Sequence, residues 1–291
     1  MAKKYKFALL GTPVEHSLSP EIHRIFAEGC GINIDENFEY VKIETDKTQL
    51  KDTIEYLKRE KFSGFNCTMP LKEEILKYID HLTPQILYLK SCNTVIIKNN
   101  KLYGYTTDGE GMVAGIEYNG IEIENKNILV FGAGGTAKSV VLSLLMNQAK
   151  NTIVLNRSEE NLNIIRNLFE KYEEYIKFDL LNLENIKKYI KEFDIDILIN
   201  TSRLGMKGFE ESPDFDPEYD FLNLLKNTAV VVDSVYNPLK TKLLIKAENC
   251  GLKAIDGFWM LVYQGALAFE YWTEKKVPDE YIEKAHGIIK R

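Results

Sequence analysis

The residues best suited to chemistry lie in four short motifs before residue 112. They are His16–Pro20, Asn66–Lys72, Ser91–Thr94 and Thr107–Gly111. Together they offer hydroxyls, two amides, the ammonium of Lys72 and the carboxylate of Asp108, a set that can bind a polar ligand and move a proton. Each motif alone is ambiguous, because Ser19 before Pro20 has the pattern of a helix N-cap and an isolated lysine is most often a surface residue.

A glycine-rich segment, Gly132–Ala137, offers a different chemistry, the binding of phosphates. It follows the apolar run Ile128–Phe131 and opens a helical pattern. In the G-x-G-x-x-G/A arrangement, Gly132 permits a tight turn, Gly134 lets the backbone approach a pyrophosphate, and Ala137 allows close packing of helix on strand. The free N–H groups at the start of the helix would face the phosphates. A glycine triplet alone is weak evidence, but this strand–turn–helix context predicts a dinucleotide site.

The choice between NAD and NADP is indicated at the end of the next predicted strand. NAD-binding domains usually place a carboxylate there, where it binds the ribose 2′-OH. Here the sequence reads Asn156-Arg157-Ser158. A guanidinium with neutral donors suits an anionic 2′-phosphate, so we predict NADP; the alternative is an ordinary solvated arginine. NAD stays possible, because Glu159 and Glu160 follow closely.

Composition sets the class of protein. The chain has 291 residues, 45% hydrophobic and 27% charged, with a formal net charge of −6, which is typical of soluble globular domains. The charge pattern argues against a nucleic-acid partner, and no run approaches the roughly 20 apolar residues that span a bilayer. The four cysteines lack a CxxC pair or zinc-type spacing, and the N-terminus lacks an apolar signal segment. We therefore expect a cytoplasmic protein with reduced thiols and no metal.

Short β-rich runs alternate with longer helical patterns, which indicates βαβ units and largely parallel sheets. The predicted strands are Phe7–Leu10, Phe38–Ile43, Gly64–Cys67, Ile128–Phe131, Thr152–Leu155, Ile195–Ile199 and Ala229–Asp233, with a hairpin of Val95–Ile97 and Leu102–Tyr105 around Asn99-Asn100. Predicted helices begin at Ser19 and cover Lys47–Lys58, Leu71–Ile79 and Ala137–Met146. The segment Gly208–Tyr219, rich in proline and acidic residues, is predicted to be a surface loop.

Taken together and in order, these motifs resemble the shikimate dehydrogenase family over nearly the whole chain. The segments that carry the resemblance are His16–Pro20, Asn66–Lys72, Cys92–Thr94, Thr106–Gly111, Gly132–Gly135, Asn156–Ser158, Asn200–Met206, Asp233–Tyr236 and Asp256–Gln264. A chance match would require many independent short motifs in the correct order.

The resemblance implies an NADP-dependent enzyme that interconverts 3-dehydroshikimate and shikimate, on the pathway to chorismate and the aromatic amino acids. It implies an α/β fold with an N-terminal substrate domain and a Rossmann-type NADP-binding domain, and an active site in the cleft between them. We expect residues 1–110, completed by helices in 257–291, to form the first domain and residues 111–256 the second. The partners would be small molecules, with no nucleic acid or membrane, and the assembly a monomer or homodimer.

The resemblance also assigns roles to residues. Lys72 and Asp108 would be catalytic, because an ammonium oriented by a carboxylate could supply the proton that a reduced ketone oxygen needs; which of the two moves the proton stays open. The implied substrate contacts are Ser17, Ser19, Thr68, Asn93, Asp108, Tyr236 and Gln264. The implied cofactor contacts are Gly132, Ala133, Gly134, Gly135, Thr136, Asn156, Arg157, Ser158, Ser234 and Gly257.

Some positions depart from the family pattern, such as Arg203, where a small residue is usual, and Lys138, where many members carry arginine. Two alternatives therefore stay open. One is a quinate/shikimate dehydrogenase that also uses NAD, and the other is a catalytically silent relative that binds its ligand as a regulator. Retention of Lys72 and Asp108 argues against the second.

Two cysteines directly precede predicted substrate contacts: Cys67 precedes Thr68, and Cys92 precedes Asn93. Neighbouring side chains on a strand point to opposite faces. If Thr68 and Asn93 face the ligand, we expect both thiols to point into the core and to behave as small apolar groups.

Overall fold

The computed structural model describes residues 4–209, 216 and 218–290. The chain divides into two compact units, Met1–Thr107 with Val262–Arg291, and Asp108–Leu261. Each unit is built on one six-stranded sheet with helices packed on it. The predicted α/β class is confirmed, whereas the predicted domain limits stay a prediction.

The first unit contains a mixed sheet with the strand order β2-β1-β3-β5-β6-β4. Its strands are β1 (Tyr5–Gly11), β2 (Phe38–Glu44), β3 (Gly64–Cys67), β4 (His81–Leu82), β5 (Thr94–Lys98) and β6 (Lys101–Tyr105). β1 pairs in parallel with β2 and β3, and β5 runs antiparallel to β3 and β6. The predicted hairpin is confirmed: Asn99 and Asn100 have φ of 53° and 61°, the left-handed pair that a two-residue turn requires.

Most helices of the first unit are short. They are α1 (Ser19–Gly29), α2 (Leu50–Arg59), α3 (Leu71–Glu74), α4 (Pro84–Leu89) and α11 (Asp279–His286). The prediction of a helix over Leu71–Ile79 is wrong in type, because the α-helix ends at Glu74 and a 3-10 turn, Ile75–Tyr78, follows. α2 begins at Leu50 rather than Lys47, since the Asp46 carboxylate accepts from the N–H groups of Thr48 and Gln49 and holds that stretch in a turn.

The second unit contains a wholly parallel sheet with the strand order β12-β11-β10-β7-β8-β9. Its strands are β7 (Asn127–Phe131), β8 (Asn151–Asn156), β9 (Ile176–Leu180), β10 (Ile197–Asn200), β11 (Val230–Asp233) and β12 (Lys253–Ile255). Its helices are α5 (Asp108–Tyr118), α6 (Gly135–Met146), α7 (Glu159–Leu168), α8 (Leu183–Phe193) and α9 (Lys242–Asn249); α10 (Gly257–Thr273) begins here and enters the first unit at Val262. This is the doubly wound dinucleotide-binding order, whose switch point lies between β7 and β10.

Each unit has its own apolar core. In the first, Ala8, Leu10, Phe65 and their neighbours pack together with Cys67 and Cys92, which are 2% and 0% exposed. The predicted inward orientation of both thiols is therefore confirmed. In the second unit, the apolar runs of β7, β8 and β10 are buried against α8 and α9, as expected for strands covered on both faces.

Three further expectations concern loops, membranes and metals. Residues 210–215 and 217 of the predicted loop Gly208–Tyr219 lie outside the described residues. Within the described ranges, no helix is long and apolar enough to cross a membrane. In that same part of the chain, no group of three or more His, Cys, Asp and Glu side chains is placed to hold a metal ion.

Candidate functional site

In the first unit, four predicted substrate residues adjoin strand ends that share one edge of the sheet: Ser17, Ser19, Thr68 and Asn93. β1 and β3 are parallel and end side by side, with Leu10 opposite Cys67. β5 starts at that edge, with Thr94 opposite Asn66, and β6 ends there, with Tyr105 opposite Thr94. This register explains why motifs far apart in sequence converge.

The serine motif is ordered by its own hydroxyls. Ser17 Oγ accepts from the Ser19 N–H at 3.3 Å and donates to Ser19 Oγ at 3.1 Å. The prediction that Ser19 caps α1 is wrong: Ser19 is the first helical residue, and Ser17 satisfies its free N–H. Lys42 on β2 donates to the carbonyl oxygens of Glu15 and Ser17, at 2.6 and 3.3 Å, and so holds the loop on the strand.

Two residues outside the predicted set, Tyr40 and Asn66, extend this network inward. The Tyr40 hydroxyl hydrogen-bonds to Ser19 and donates to Asn66 Oδ1 at 2.9 Å. Asn66 Nδ2 donates to the carbonyl of Asn93 and to Thr94 Oγ1, both at 3.0 Å. Burial raises the pKa of Tyr40, so the phenol stays neutral and keeps its proton for Asn66.

Beneath Ser19 lies a buried histidine, His23, stacked on Tyr40 with ring centroids 4.5 Å apart. Its Nδ1 lies 2.8 Å from the Ser19 carbonyl oxygen, which can only accept, so Nδ1 carries the proton. Burial lowers the pKa of His23 to about 4. The imidazole is therefore neutral at physiological pH and supports the serine motif without charge.

Asn93 brings Gln264 to the same edge. Its Nδ2 donates to Thr107 Oγ1 at 2.9 Å and to Gln264 Oε1 at 3.3 Å, and its Oδ1 accepts from the Thr107 N–H at 2.8 Å. The structure thus joins two predicted substrate residues, Asn93 and Gln264, although 171 positions separate them. It also fixes Thr107, the residue directly before Asp108.

Thr68 and Lys72 stand on a segment that passes very close to the end of β1. A Cβ on Gly11 would lie 2.3 Å from Thr68 Cγ2, so only glycine fits there. The Thr68 N–H donates to the Leu10 carbonyl at 2.9 Å, and the Lys72 carbonyl accepts from the Cys92 N–H at 2.8 Å. The backbone of Lys72 is thereby fixed, and its side chain is half-buried. Asp108 is the first residue of α5 and is 6% exposed.

In the second unit, the glycine-rich turn has the geometry that phosphates require. Gly132 has φ of +110°, and a Cβ there would lie 2.8 Å from Thr201 Oγ1. Gly134 and Gly135 are exposed, with open space where a Cβ would project. α6 begins at Gly135 without a side-chain cap and with no acidic residue in its first turn, so its free N–H groups and positive dipole end fit an anionic pyrophosphate.

Arg157 lies at the end of β8 with an exposed side chain and, among the described residues, no hydrogen-bond or ion-pair partner. Ser158 caps α7 by accepting from the Asn161 N–H at 3.3 Å. Glu159 forms an ion pair with Arg166 at 3.5 Å, which draws one of the two neighbouring carboxylates away from Arg157. These residues fit the 2′-phosphate of NADP better than the ribose 2′-hydroxyl of NAD.

The remaining predicted residues of this unit lie around the ends of β11 and α10. The Ser234 N–H donates to the Asn200 carbonyl at 2.8 Å. A Cβ on Gly257 would lie 2.5 Å from the Ser234 carbonyl oxygen, so that approach requires glycine. Tyr236 is half-buried, and burial raises its pKa.

Comparisons with known proteins cover both units. The substrate binding domain of shikimate dehydrogenase matches residues 9–95, the shikimate / quinate 5-dehydrogenase model matches residues 116–204, and the shikimate 5′-dehydrogenase C-terminal domain matches residues 257–285. The NADP(+) shikimate dehydrogenase of Alkaliphilus oremlandii is 38% identical over 278 residues, which are 95% of this chain and 94% of that protein.

Two solved structures resemble the whole chain. Shikimate 5-dehydrogenase from Listeria monocytogenes, in complex with shikimate and NAD, gives a TM-score of 0.85 at 30% identity over 97% of this chain and 96% of its own. The enzyme from Thermus thermophilus, in complex with NADP(H) and shikimate, gives a TM-score of 0.82 at 29% identity over 98% of this chain and 99% of its own.

The parallel sheet, its strand order and the glycine-rich turn define the class: an α/β protein with a dinucleotide-binding unit. The near full-length matches are more specific. This chain belongs to the shikimate dehydrogenase family, as the sequence motifs predicted.

Proposed function

We propose that this chain catalyses the reversible NADP(H)-dependent reduction of 3-dehydroshikimate to shikimate, a step towards chorismate and the aromatic amino acids. The observation that carries the proposal is the 38% identity, over 95% of the chain, with a curated NADP(+) shikimate dehydrogenase. The first unit carries Lys72 and most of the predicted substrate contacts, and the second carries Asp108, Tyr236 and the predicted cofactor contacts.

We assign the substrate to the polar edge of the first unit, with Ser17, Ser19, Thr68, Asn93 and Gln264 as contacts, joined by Asp108 and Tyr236. A small acid with several hydroxyls needs several donors and acceptors in fixed positions. Successive hydrogen bonds from Ser17 through Ser19 and Tyr40 to Asn66 fix one part of this set. The bond from Asn93 to Gln264 fixes another. A ligand lacking one hydroxyl would leave a polar group unpaired, which gives strong discrimination.

We assign NADP(H) to the second unit. Gly132, Ala133, Gly134, Gly135 and Thr136 would hold the pyrophosphate. Asn156, Arg157 and Ser158 would hold the 2′-phosphate, with Ser234 and Gly257 as the remaining contacts. The open helix start and the exposed guanidinium of Arg157 support this assignment. When bound, the reduced cofactor supplies the hydride.

Lys72 and Asp108 are the proposed catalytic residues. The carbonyl oxygen of the substrate develops negative charge during reduction and needs a proton. Lys72 can hold that proton as an ammonium, on a backbone fixed by Cys92, and the carboxylate of Asp108 can orient it. We assign the proton transfer to Lys72 and Asp108 together.

We further propose a cytoplasmic location, supported by four free cysteines, and an assembly no larger than a homodimer. Light scattering of the purified full chain measures the assembly directly. A stable tetramer would contradict it.

The activity is tested by following NADPH oxidation with 3-dehydroshikimate, beside NADH, and by running the reverse reaction with shikimate and quinate. We expect turnover with NADPH to exceed turnover with NADH, and shikimate to exceed quinate. Tight cofactor binding with no turnover would support a regulator instead. Equal rates with quinate would place the chain with the broader quinate/shikimate enzymes.

A further inference from the structure

A buried carboxylate, Asp233, stands at the end of β11 and uses both oxygens within the protein. Oδ1 accepts from Asn200 Nδ2 and from the Val235 N–H, each at 2.9 Å. Oδ2 accepts from Thr241 Oγ1 at 2.7 Å. Asp233 is 0% exposed, so the carboxylate itself contacts no ligand.

Its partner Asn200 ends the neighbouring strand at the same level and is equally buried. Asn200 Nδ2 also donates to the Leu204 carbonyl at 3.1 Å. Its Oδ1 accepts from Ser202, from the N–H at 3.1 Å and from the hydroxyl at 2.7 Å. The pair therefore ties together two loops: the β10 loop, residues 201–206, and the β11 loop, residues 234–241.

Both loops adjoin predicted cofactor residues. Thr201 Oγ1 donates to the Phe131 carbonyl at 2.7 Å and crowds Gly132 of the glycine-rich turn. The β11 loop carries Ser234, whose carbonyl meets Gly257. Since Arg157 on the β8 side is assigned to the adenosine 2′-phosphate, the nicotinamide nucleotide belongs over β10 and β11, on the other side of the switch point.

We propose that Asp233 and Asn200 are positioning residues for the dinucleotide, which hold the β10 and β11 loops in the arrangement that accepts its nicotinamide half. The inference rests on the proposed use of NADP(H). A buried carboxylate is costly unless its hydrogen bonds are satisfied, and burial raises the pKa of Asp233 to about 6. Two of its donors, Val235 and Thr241, belong to the β11 loop, and the third, Asn200, is itself bonded to Ser202 and Leu204 of the β10 loop. The cost is therefore met only while both loops keep this arrangement.

The test compares full-length Asp233→Asn and Thr241→Val with two matched controls. Thr241→Ser keeps the hydroxyl that Asp233 accepts from. Asp216→Asn changes another buried aspartate of the same unit, which lies outside both loops and whose Oδ2 accepts from the Phe221 N–H at 2.8 Å. The dissociation constants of NADPH and NADH are measured by fluorescence titration, with thermal unfolding to establish that each variant is folded.

We expect Asp233→Asn to raise both dissociation constants about tenfold and Thr241→Val about threefold, the scale of a lost buried hydrogen bond. The NADPH-to-NADH ratio stays constant because Arg157 is untouched, and both controls stay within about twofold of the wild type, less than one such bond. If Asp233→Asn does not fold, the dissociation constants of Thr241→Val for the two cofactors test the proposal.

Folded Asp233→Asn and Thr241→Val proteins with unchanged affinity for both cofactors would overturn the inference, as would a loss confined to NADPH. These binding results do not depend on the substrate. Wild-type protein that binds NADPH but does not reduce 3-dehydroshikimate would instead reject the proposed function.

Discussion

The two units build their candidate binding sites from different parts of the chain. The first unit uses side chains, with Ser19, Tyr40 and Asn66 hydrogen-bonded to one another in the interior. The second presents backbone, at the exposed Gly134 and Gly135 where α6 begins. Interlocked side chains can select one pattern of hydroxyls, whereas backbone N–H groups accept any suitably placed phosphate. Selection between dinucleotides is then left to a few side chains, above all Arg157.

The largest expected effect separates chemistry from binding. Lys72→Ala should lower kcat by roughly 10²–10⁴, the usual scale for a lost general acid–base group. The dissociation constant of NADPH should not change, because the phosphate-facing elements belong to the other unit. Lys77→Ala, an exposed lysine of the following 3-10 turn paired with Glu74, is the control. An unchanged kcat would remove Lys72 from the mechanism.

The pH dependence of stability should have opposite signs in the two units. The pKa of His23 falls from 6.5 to about 4, so the unfolded chain takes up this proton first, and stability is lost as pH falls from 6.5 to 4. The pKa of Asp233 rises from 3.8 to about 6, so the folded chain takes up that proton first, and stability is gained as pH falls from 6 to 3.8. Each contribution is about 3 kcal/mol when complete.

Urea unfolding between about pH 4 and 6, the range that both shifts span, measures these contributions. Relative to the wild type, His23→Gln should become more stable on acidification and Asp233→Asn less stable. Variants whose stability changes in parallel with the wild type across this range would contradict both assignments.

A smaller effect tests Arg157, the side chain proposed to select between dinucleotides in the second unit. Arg157→Ala should weaken NADPH binding by about tenfold or more, the value of a charge-assisted contact of roughly 1.5–3 kcal/mol, and leave NADH binding nearly unchanged. Isothermal titration with both cofactors measures the difference. Arg59→Ala, an exposed arginine of the other unit, is the control. An equal loss for NADPH and NADH would show that Arg157 has a structural role.

The smallest effect tests the hydrogen-bond network of Ser19, Tyr40 and Asn66. Tyr40→Phe removes the donor to Asn66 Oδ1 while keeping the ring on His23, so the free energy of unfolding should fall by about 1–3 kcal/mol. The NADPH dissociation constant should stay the same. Tyr56→Phe, whose tyrosine is 41% exposed, should change neither quantity. A stability loss in Tyr56→Phe as large as in Tyr40→Phe would mean that the buried bond has no special role.

The main features of the second unit could be predicted from sequence because each lies in one short contiguous segment. The apolar run of β7, the glycines after it and the arginine after β8 are each contiguous, and the structure has them as predicted. The asparagine turn of the first unit was equally local. Tyr40, by contrast, looks in sequence like any aromatic residue of a half-buried strand. Its role depends on Asn66, 26 positions away, and thus on the pairing of β1 with both β2 and β3.

The contacts of Asp233 also could not be predicted from sequence, although the residue itself could. It belongs to a motif that sequence does reveal, but Asn200 and Thr241 become its partners only through the parallel register of β10 and β11 and the path of the following loop. The end of α3 was missed because a 3-10 turn keeps nearly the same apolar spacing as the helix that it follows.

The chain passes from the first unit to the second between Thr107 and Asp108 and returns between Leu261 and Val262. The first of these crossings has no linker segment. Thr107 is fully buried, with its N–H and its hydroxyl both bonded to Asn93, and Asp108 immediately starts α5. Proteases cut where several residues can be drawn out into an extended strand, so limited digestion will not separate the units here. Recombination between relatives at this junction would also take Asn93 and its hydrogen-bond partner Gln264 from different parents, which favours inheritance of both units as one gene segment.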